Sequence, residues 1–414
     1  MSNEYSQDHE VIRLIRRETE KQQNTINLIA AENYASPAVL LAQGSVFTNK
    51  YAEGYPGHRY YSGCVNADEV ESLAIERAKK LFKADHANVQ PHSGSQANMA
   101  TYFAVLQPGD KVMGMMLNHG GHLTHGAKAN FSGKWYDFVS YGLNRETERI
   151  DYDEVEKLAN QNRPKLIIAG ASSYPRIIDF QRFSDIARSV NAFFMADIAH
   201  IAGFVVTSLH PSPLPMADIV TTSTHKTMRG PRSGIVLCNK QLAGKIDAAV
   251  FPCMQGGPQV HAVAAKAVAF YEAMQPQFTD YQKATLENAR ALAAELGRKG
   301  FRIVTGGTEN HIVLVDLTST GITGITAQEA LESAGILANK NAIPFDSQPP
   351  QHAGGIRFGT PAITTRGFSV KETLQVAAMI GRVLSNPGDK ALQKLIREET
   401  LALCSKFPAP GLNQ

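Results

Sequence analysis

Cysteine is scarce: Cys64, Cys238, Cys253 and Cys404 are the only four in 414 residues, and none stands in CxxC or Cys/His spacing. That excludes a disulfide framework and a zinc site of the usual spacing, and fits a reducing compartment. Long apolar runs are also missing, none approaching the roughly 18 residues of a membrane span. The opening "MSNEYSQDHEVIRLIRRETEK" is too charged for a secretory signal, so the expected location is cytoplasmic, with no membrane contact. A dominant charge is lacking as well. Forty-one basic residues interspersed with 38 acidic ones leave +3, a balance that demands no nucleic acid and suits an anionic small molecule. No repeat or low-complexity tract appears.

What is present is a long, moderately apolar chain, 43% hydrophobic, too long for one ordinary domain. Asp8 is placed to cap a first helix in which Val11, Leu14 and Ile15 share a face. A loop region rich in Tyr and Gly follows, through "NKYAEGYPGHRYYSGC". From about Asp68 helical segments alternate with "KVMGMML", "WYDFVSY", "KLIIAG", "AFFMAD", "DIVTTS" and "SGIVLC". Short apolar strands between helices predict an α/β domain on a mostly parallel sheet. A linking helix is expected over Pro258 to Pro276, and a second over Thr279 to Gly300 with Tyr281, Thr285, Ala289, Leu292 and Leu296 on one face. The strands "FRIVTG" and "HIVLVDL", the helix "TAQEALESAG", a loop-rich stretch from Asn339 to Thr365 and two final helices complete a smaller α+β domain. The expected division is residues 1–278, the N-terminal segment with the large domain, and residues 279–414.

The chemistry concentrates at strand ends. In "DIVTTSTHKTMRGPRSG", four hydroxyl residues, Thr221 to Thr224, lead to His225 and then Lys226. A lysine in a crowded, partly desolvated setting can be neutral and form a Schiff base with an aldehyde cofactor, although most lysines at strand ends are merely surface charges. Asp197 closes "AFFMAD", 29 residues earlier (226 − 197). Carboxylates there face the crevice of α/β sheets, and a pyridinium nitrogen is one partner that would keep such an Asp ionised. A helix N-cap is the plainer reading of it. His200, three residues on, reads as a ring contact or as structure. Ser93, Gly94 and Ser95 open an apparent helix whose N-terminus suits a phosphate. "NHGGHLTHG" offers His119, His122 and His125, but glycines between them and no carboxylate cluster argue against metal. His122 is better read as a ring stacked on a planar cofactor. Arg357, between Ile356 and Phe358, is a fork suited to an α-carboxylate. Glu53, among Tyr51, Tyr60 and Tyr61, is either a satisfied polar network or a general acid.

Together "NLIAAENYASPAVL", "TNKYAEGYPGHRYY", "ANVQPHSGSQANMA", "GGHLTHG", "DIAHIAG", "TTSTHKTMRGPRSG", "FPCMQGGP", "NKNAIP" and "IRFGTPAITTRGF" resemble the serine hydroxymethyltransferase family, in unbroken order from about residue 8 to beyond residue 380. The resemblance implies fold type I of the pyridoxal-phosphate enzymes, with tetrahydrofolate as co-substrate. It implies that Lys226 carries the cofactor, Asp197 meets its ring nitrogen, His122 stacks on its face, and Ser172 and His200 reach its phenolic oxygen. Ser93, Gly94 and Ser95 would bind the phosphate, together with Gly257 of a neighbouring subunit, with Ser223, Thr224 and His225 around the lysine. Arg357 would hold the substrate carboxylate. Tyr51, Glu53 and Tyr61 would come from a partner chain, Glu53 handling a proton, so that a homodimer or dimer of dimers is implied. Leu117, Gly121, Leu123 and Asn341 match positions of the folate site.

Departures from the family pattern lie at Ser62, Ala196, Ser223, Ser233 and the loop "PFDSQPPQHAGGIR". Two missing methyls, at Ala196 and Ser223, amount to about 1 kcal/mol each if the space is filled. They raise an alternative, an α-methylserine hydroxymethyltransferase or a folate-independent aldolase. A non-catalytic relative predicts erosion of Lys226, Asp197 or Arg357, which are all present, and an aminotransferase fits the tyrosine and glutamate loop poorly.

Overall fold

The computed structural model describes residues 8–412; the outermost residues of the two expected domains, 1–7 and 413–414, lie outside them. All six apolar runs are strands: β2 (Lys111–Met115), β3 (Asp137–Tyr141), β4 (Leu166–Gly170), β5 (Phe193–Asp197), β6 (Ile219–Ser223) and β7 (Gly234–Cys238). The seventh strand of the sheet, β1 (His86–Asn88), is too short and polar to show as an apolar run. The order across the sheet is β1-β7-β6-β5-β4-β2-β3, and β7 alone runs antiparallel to its neighbours. Every residue of β4, β6 and β7 is buried, as expected where helices cover both faces.

Asp8 does cap α1 (His9–Asn24), its carboxylate accepting from Val11 N at 3.0 Å. The face of Val11, Leu14 and Ile15 is nevertheless about half exposed in this chain rather than packed. Further along come α2 (Val65–Phe82), α3 (Gly94–Val105), α4 (Val260–Ala273) and α5 (Pro276–Arg298). The expected linking helix is thus shorter, and the next one starts three residues earlier, with Pro276 in its first turn, where the missing N–H costs nothing. Helix α5 contributes to two hydrophobic cores. Phe278 and Tyr281 pack into the core of the large sheet, while Ala289, Leu292 and Leu296 belong to the second core.

The small domain is a four-stranded antiparallel sheet, β8 (Arg302–Ile303), β9 (Ile312–Asp316), β10 (Asn339–Asn341) and β11 (Gly355–Gly359), in the order β8-β9-β11-β10. The helices α6 (Val370–Ser385) and α7 (Lys390–Lys406) close it. The stretch expected to be loop therefore carries two strands and a short helix, Pro361–Thr365. Residues 26–28 of the N-terminal segment join this domain's core, whereas Val39 packs against Ala265 and Ala269 of α4. Ile26–Asn27 pairs in parallel with Ile336–Leu337, and Ile26 and Leu28 sit in the small-domain core.

Candidate active site

The loops that follow the carboxyl ends of β4, β5 and β6 meet the first turn of α3 and the small-domain strand β11 around one cavity of about 310 Å³. Its walls include Ser93, Gly94, Ser95, His122, Ser172, Asp197, His200, Ser223, His225, Lys226 and Arg357. This is the crevice at strand ends where open α/β sheets bind ligands. Gly257, Tyr51, Glu53 and Tyr61 are not part of it.

Lys226 sits three residues past β6 in a loop tied back on itself. Thr224 N donates to Ser233 O at 3.1 Å, Gly230 N to Thr224 O at 2.7 Å, and Arg229 N to Lys226 O at 3.1 Å. Asn33 Nδ2 also donates to Lys226 O, at 2.9 Å. The lysine's main chain is thereby fixed, while among the described residues its amine has no hydrogen-bond or ion-pair partner. Burial pushes that amine down to about 8, opposed by Asp197 and aided by Arg357 and Arg232. A buried amine near neutrality is the nucleophile a carbonyl requires. Thr224 does not line the cavity; its hydroxyl donates to Pro231 O at 2.6 Å.

Asp197 ends β5. Its Oδ2 accepts from His125 Nε2 at 3.0 Å and Asn98 Nδ2 at 2.9 Å, and its Oδ1 from Ala199 N at 3.0 Å. Burial would raise this carboxyl, but the hydrogen bonds from His125 and Asn98 hold it well below the usual carboxylate range. His125 Nδ1 accepts from His122 N at 3.2 Å, so its hydrogen resides on Nε2, facing the carboxylate. His122, His125 and Asp197 place ligand atoms within 4.8 Å of one another. Those of His125 and Asp197 already bond to each other and His122 Nδ1 to Thr124 Oγ1 at 2.7 Å, an arrangement suited to a ring with its nitrogen on Asp197. Burial keeps His122 neutral, pushed down to about 4.

Ser93 is the N-cap of α3, accepting from Gln96 N at 3.2 Å, so Gly94 and Ser95 occupy the first turn with free N–H groups. Arg357 projects from β11, with Nη1 donating to Ser172 O at 2.6 Å and Nε to Asn339 Oδ1 at 3.1 Å. Its Nη2 has no partner among the described residues. Burial lowers it to about 10, still a cation at neutral pH. The His122 loop is pinned to the same region, since Gly120 O accepts Ser172 N at 2.6 Å, and Gly120 itself takes φ 113°. Amine, carboxylate, guanidinium and a helix N-terminus thus converge on one cavity, a set of groups that could hold a planar aldehyde bearing a phosphate.

The remaining expected residues gather elsewhere. Tyr51 Oη donates to Glu53 Oε1 at 3.1 Å, the Tyr51 and Tyr61 rings meet edge to face at 5.0 Å, and both are about half exposed. Gly257 backs onto them, since a Cβ there would lie 3.0 Å from the Tyr51 ring. Leu117 and Leu123 are exposed, Gly121 packs against Met115 O, and Asn341 donates within its own loop to Ala342 O at 2.7 Å. Of the departures, Ser223 lines the cavity, whereas Ala196 is buried in the large-sheet core. Sequence reasoning missed Asn98, Arg232 and the role of His125. A buried Asn in the apolar first turns of α3 was the available signal for Asn98; Arg232 gave none.

A family profile described as serine hydroxymethyltransferase matches residues 5–380. Curated proteins named serine hydroxymethyltransferase from Dehalococcoides mccartyi, strains CBDB1 and BAV1, are each 59% identical over 407 residues, covering 98% of this chain and 98% of theirs.

Proposed function

The chain belongs to the serine hydroxymethyltransferase family, and from that premise we propose how its own residues divide the family's reaction. The activity is the pyridoxal-phosphate-dependent interconversion of serine and glycine, with tetrahydrofolate as the one-carbon co-substrate. The observation that carries the assignment of residues is the unpartnered, buried Lys226 amine in one cavity with Asp197 and Arg357.

Bound there, pyridoxal phosphate supplies an electron sink for the bond broken at the substrate's α-carbon. Ser93, Gly94 and Ser95 take the phosphate on the N-terminus of α3. Asp197, kept ionised by His125 and Asn98, holds a proton on the ring nitrogen. Lys226 would tether the cofactor, and its amine, neutral in this buried setting, would serve as the base at the reacting carbon. Ser172 and His200 would meet the phenolic oxygen and His122 would cover the ring, while Ser223 and His225 line the same cavity as the lysine. Arg357 grips the α-carboxylate with its free Nη2, which fixes the Cα–Cβ bond relative to the ring.

Tyr51, Glu53, Tyr61 and Gly257 serve a neighbouring subunit's cavity, Glu53 holding the proton of the substrate hydroxyl or of the folate. What supports this is their gathering into one exposed cluster outside the chain's own cavity. A homodimer or dimer of dimers in the cytoplasm follows. Among the described residues no helix is long and apolar enough to cross a membrane. Leu117, Gly121, Leu123 and Asn341 border the folate. The test is the initial rate of L-serine cleavage by purified protein with and without tetrahydrofolate. Folate-dependent glycine release is expected; equal rates without folate would refute the transferase reading.

A further inference from the structure

Behind the cavity lies an imidazole that none of these steps employs. His311, directly before β9, is fully buried, with Nε2 3.2 Å from Ala30 O and 3.4 Å from His200 Nδ1. The two imidazole planes differ by 7° and their centroids stand 5.5 Å apart. With facing nitrogens only 3.4 Å apart, so large a centroid separation means that the rings meet edge to edge rather than face to face. Phe204 runs nearly parallel to His311, at 14° and 5.9 Å.

Counting hydrogens fixes the tautomers. A main-chain carbonyl only accepts, so His311 Nε2 carries the hydrogen. His200 Nδ1 facing it must then be bare, since two N–H groups pointed at each other have no acceptor between them. A neutral imidazole with a bare Nδ1 carries its hydrogen on Nε2. Both rings are neutral. Burial pushes His311 down to about 3, and burial followed by the charges of Lys226 and Arg357 drives His200 well below its ordinary value. Among the described residues His311 Nδ1 has no partner, and neither has His200 Nε2, although His200 lines the cavity.

We propose that His311 is a positioning residue that locks His200 as its Nε2–H tautomer, presenting the cavity with a neutral N–H donor of fixed direction toward an anionic oxygen of the cofactor ring or the substrate carboxylate. The proposal rests on the reading of the cavity as the cofactor site. His311 precedes β9, which pairs with β11, where Arg357 lies opposite Leu314. One sheet therefore sets both the carboxylate clamp and the His200 tautomer.

The experiment is ¹⁵N NMR of the holoenzyme labelled at histidine, with His200 assigned through His200→Asn, alongside the visible absorption of the bound cofactor. A protonated Nε2 and a bare Nδ1 on His200 are expected in the wild type, and protonated Nδ1 would overturn the proposal without any variant at His311. His311→Phe keeps a flat ring beside Phe204 but removes the N–H. It should give a tautomer mixture at His200, a shifted absorption band, and a kcat reduced about tenfold with KM for serine nearly unchanged. His311→Gln, which retains an N–H donor, should restore the band. A wild-type band and tautomer in His311→Phe would overturn the proposal. A wild-type protein that takes up no cofactor would instead overturn the reading of the cavity beneath it, and the missing band tells the two failures apart.

Discussion

The Lys226 cavity and the Tyr51–Glu53 cluster both gather titratable side chains, but in opposite surroundings. In the first, the Lys226 amine and the Asp197 carboxylate are buried and the Arg357 guanidinium is half-buried; burial lowers the amine and the guanidinium, while the His125 hydrogen bond holds the carboxylate low against burial. In the second, Tyr51 is 53% and Tyr61 49% exposed. The only perturbation resolved there is an upward one on Tyr51, from its hydrogen bond to Glu53. Low local dielectric makes charges effective, so the cavity is equipped for chemistry within one chain. The cluster acquires that power once another surface excludes water from it. On the proposed division, one chain carries one finished half-site and one that awaits a neighbour.

The largest expected effect falls on the finished half. Lys226→Ala should abolish the visible band of the bound cofactor and lower serine cleavage by roughly 10³-fold or more, measured by absorption and by glycine release. A variant that kept its band would break the comparison at its root, because the amine would then not be the tether.

The next prediction tests the division itself. Glu53→Gln and Lys226→Ala should each be nearly inactive alone, yet refolding them together should recover about a quarter of wild-type activity. Half of randomly paired dimers are mixed, and each mixed dimer holds one intact site of two. No recovery would mean that Glu53 serves its own chain's lysine, which would break the comparison outright.

How much of this was legible beforehand depended on whether a contact was local. Five of the six apolar runs became strands that are buried almost throughout, and the sixth, β3, is a partly exposed edge; the three residues His86–Asn88 escaped because an edge strand need not be apolar. The motif residues from Ser93 to Arg357 form one cavity although 264 positions (357 − 93) separate them, and the order of motifs, not periodicity, foretold that. His311 was invisible. Its significance comes from a ring 111 residues away and a carbonyl 281 residues away, and no local spacing records such a pairing. The exposed face of α1 shows the reverse error. Val11, Leu14 and Ile15 have the pattern of a core face, and periodicity says which residues share a side but not what lies against it.

A third prediction sharpens the contrast through pH. Only the neutral amine attacks an aldehyde, and the cavity pushes Lys226 down to about 8. In cofactor-free protein the rate of cofactor capture should rise about tenfold per pH unit up to about pH 8 and then level off, whereas an unperturbed lysine would keep rising to about 10.4. Stopped-flow absorption across pH 6.5 to 10 measures it. A rise continuing past pH 9.5 would place the amine in water-like surroundings and erase the difference between the two regions.

The smallest effect concerns the cavity wall. Ser223 borders the cavity, with its Cβ 3.4 Å from where a Cβ on Gly94 would stand, while Ala196 is buried in the sheet core. Of the two missing methyls only one faces the cavity, space for about 1 kcal/mol of added apolar contact, or roughly fivefold in rate ratio. So modest a term cannot by itself redirect an enzyme from serine to α-methylserine. L-Serine should be cleaved faster than α-methyl-L-serine by the wild type, and Ser223→Thr, which keeps the hydroxyl and restores the methyl, should shift the ratio of their kcat/KM values toward serine by no more than about fivefold. If the wild type preferred the α-methyl substrate and Ser223→Thr reversed that preference, the wall at Ser223 would be a specificity element, and substrate choice would belong to the finished half-site rather than to the cluster lent to a neighbour.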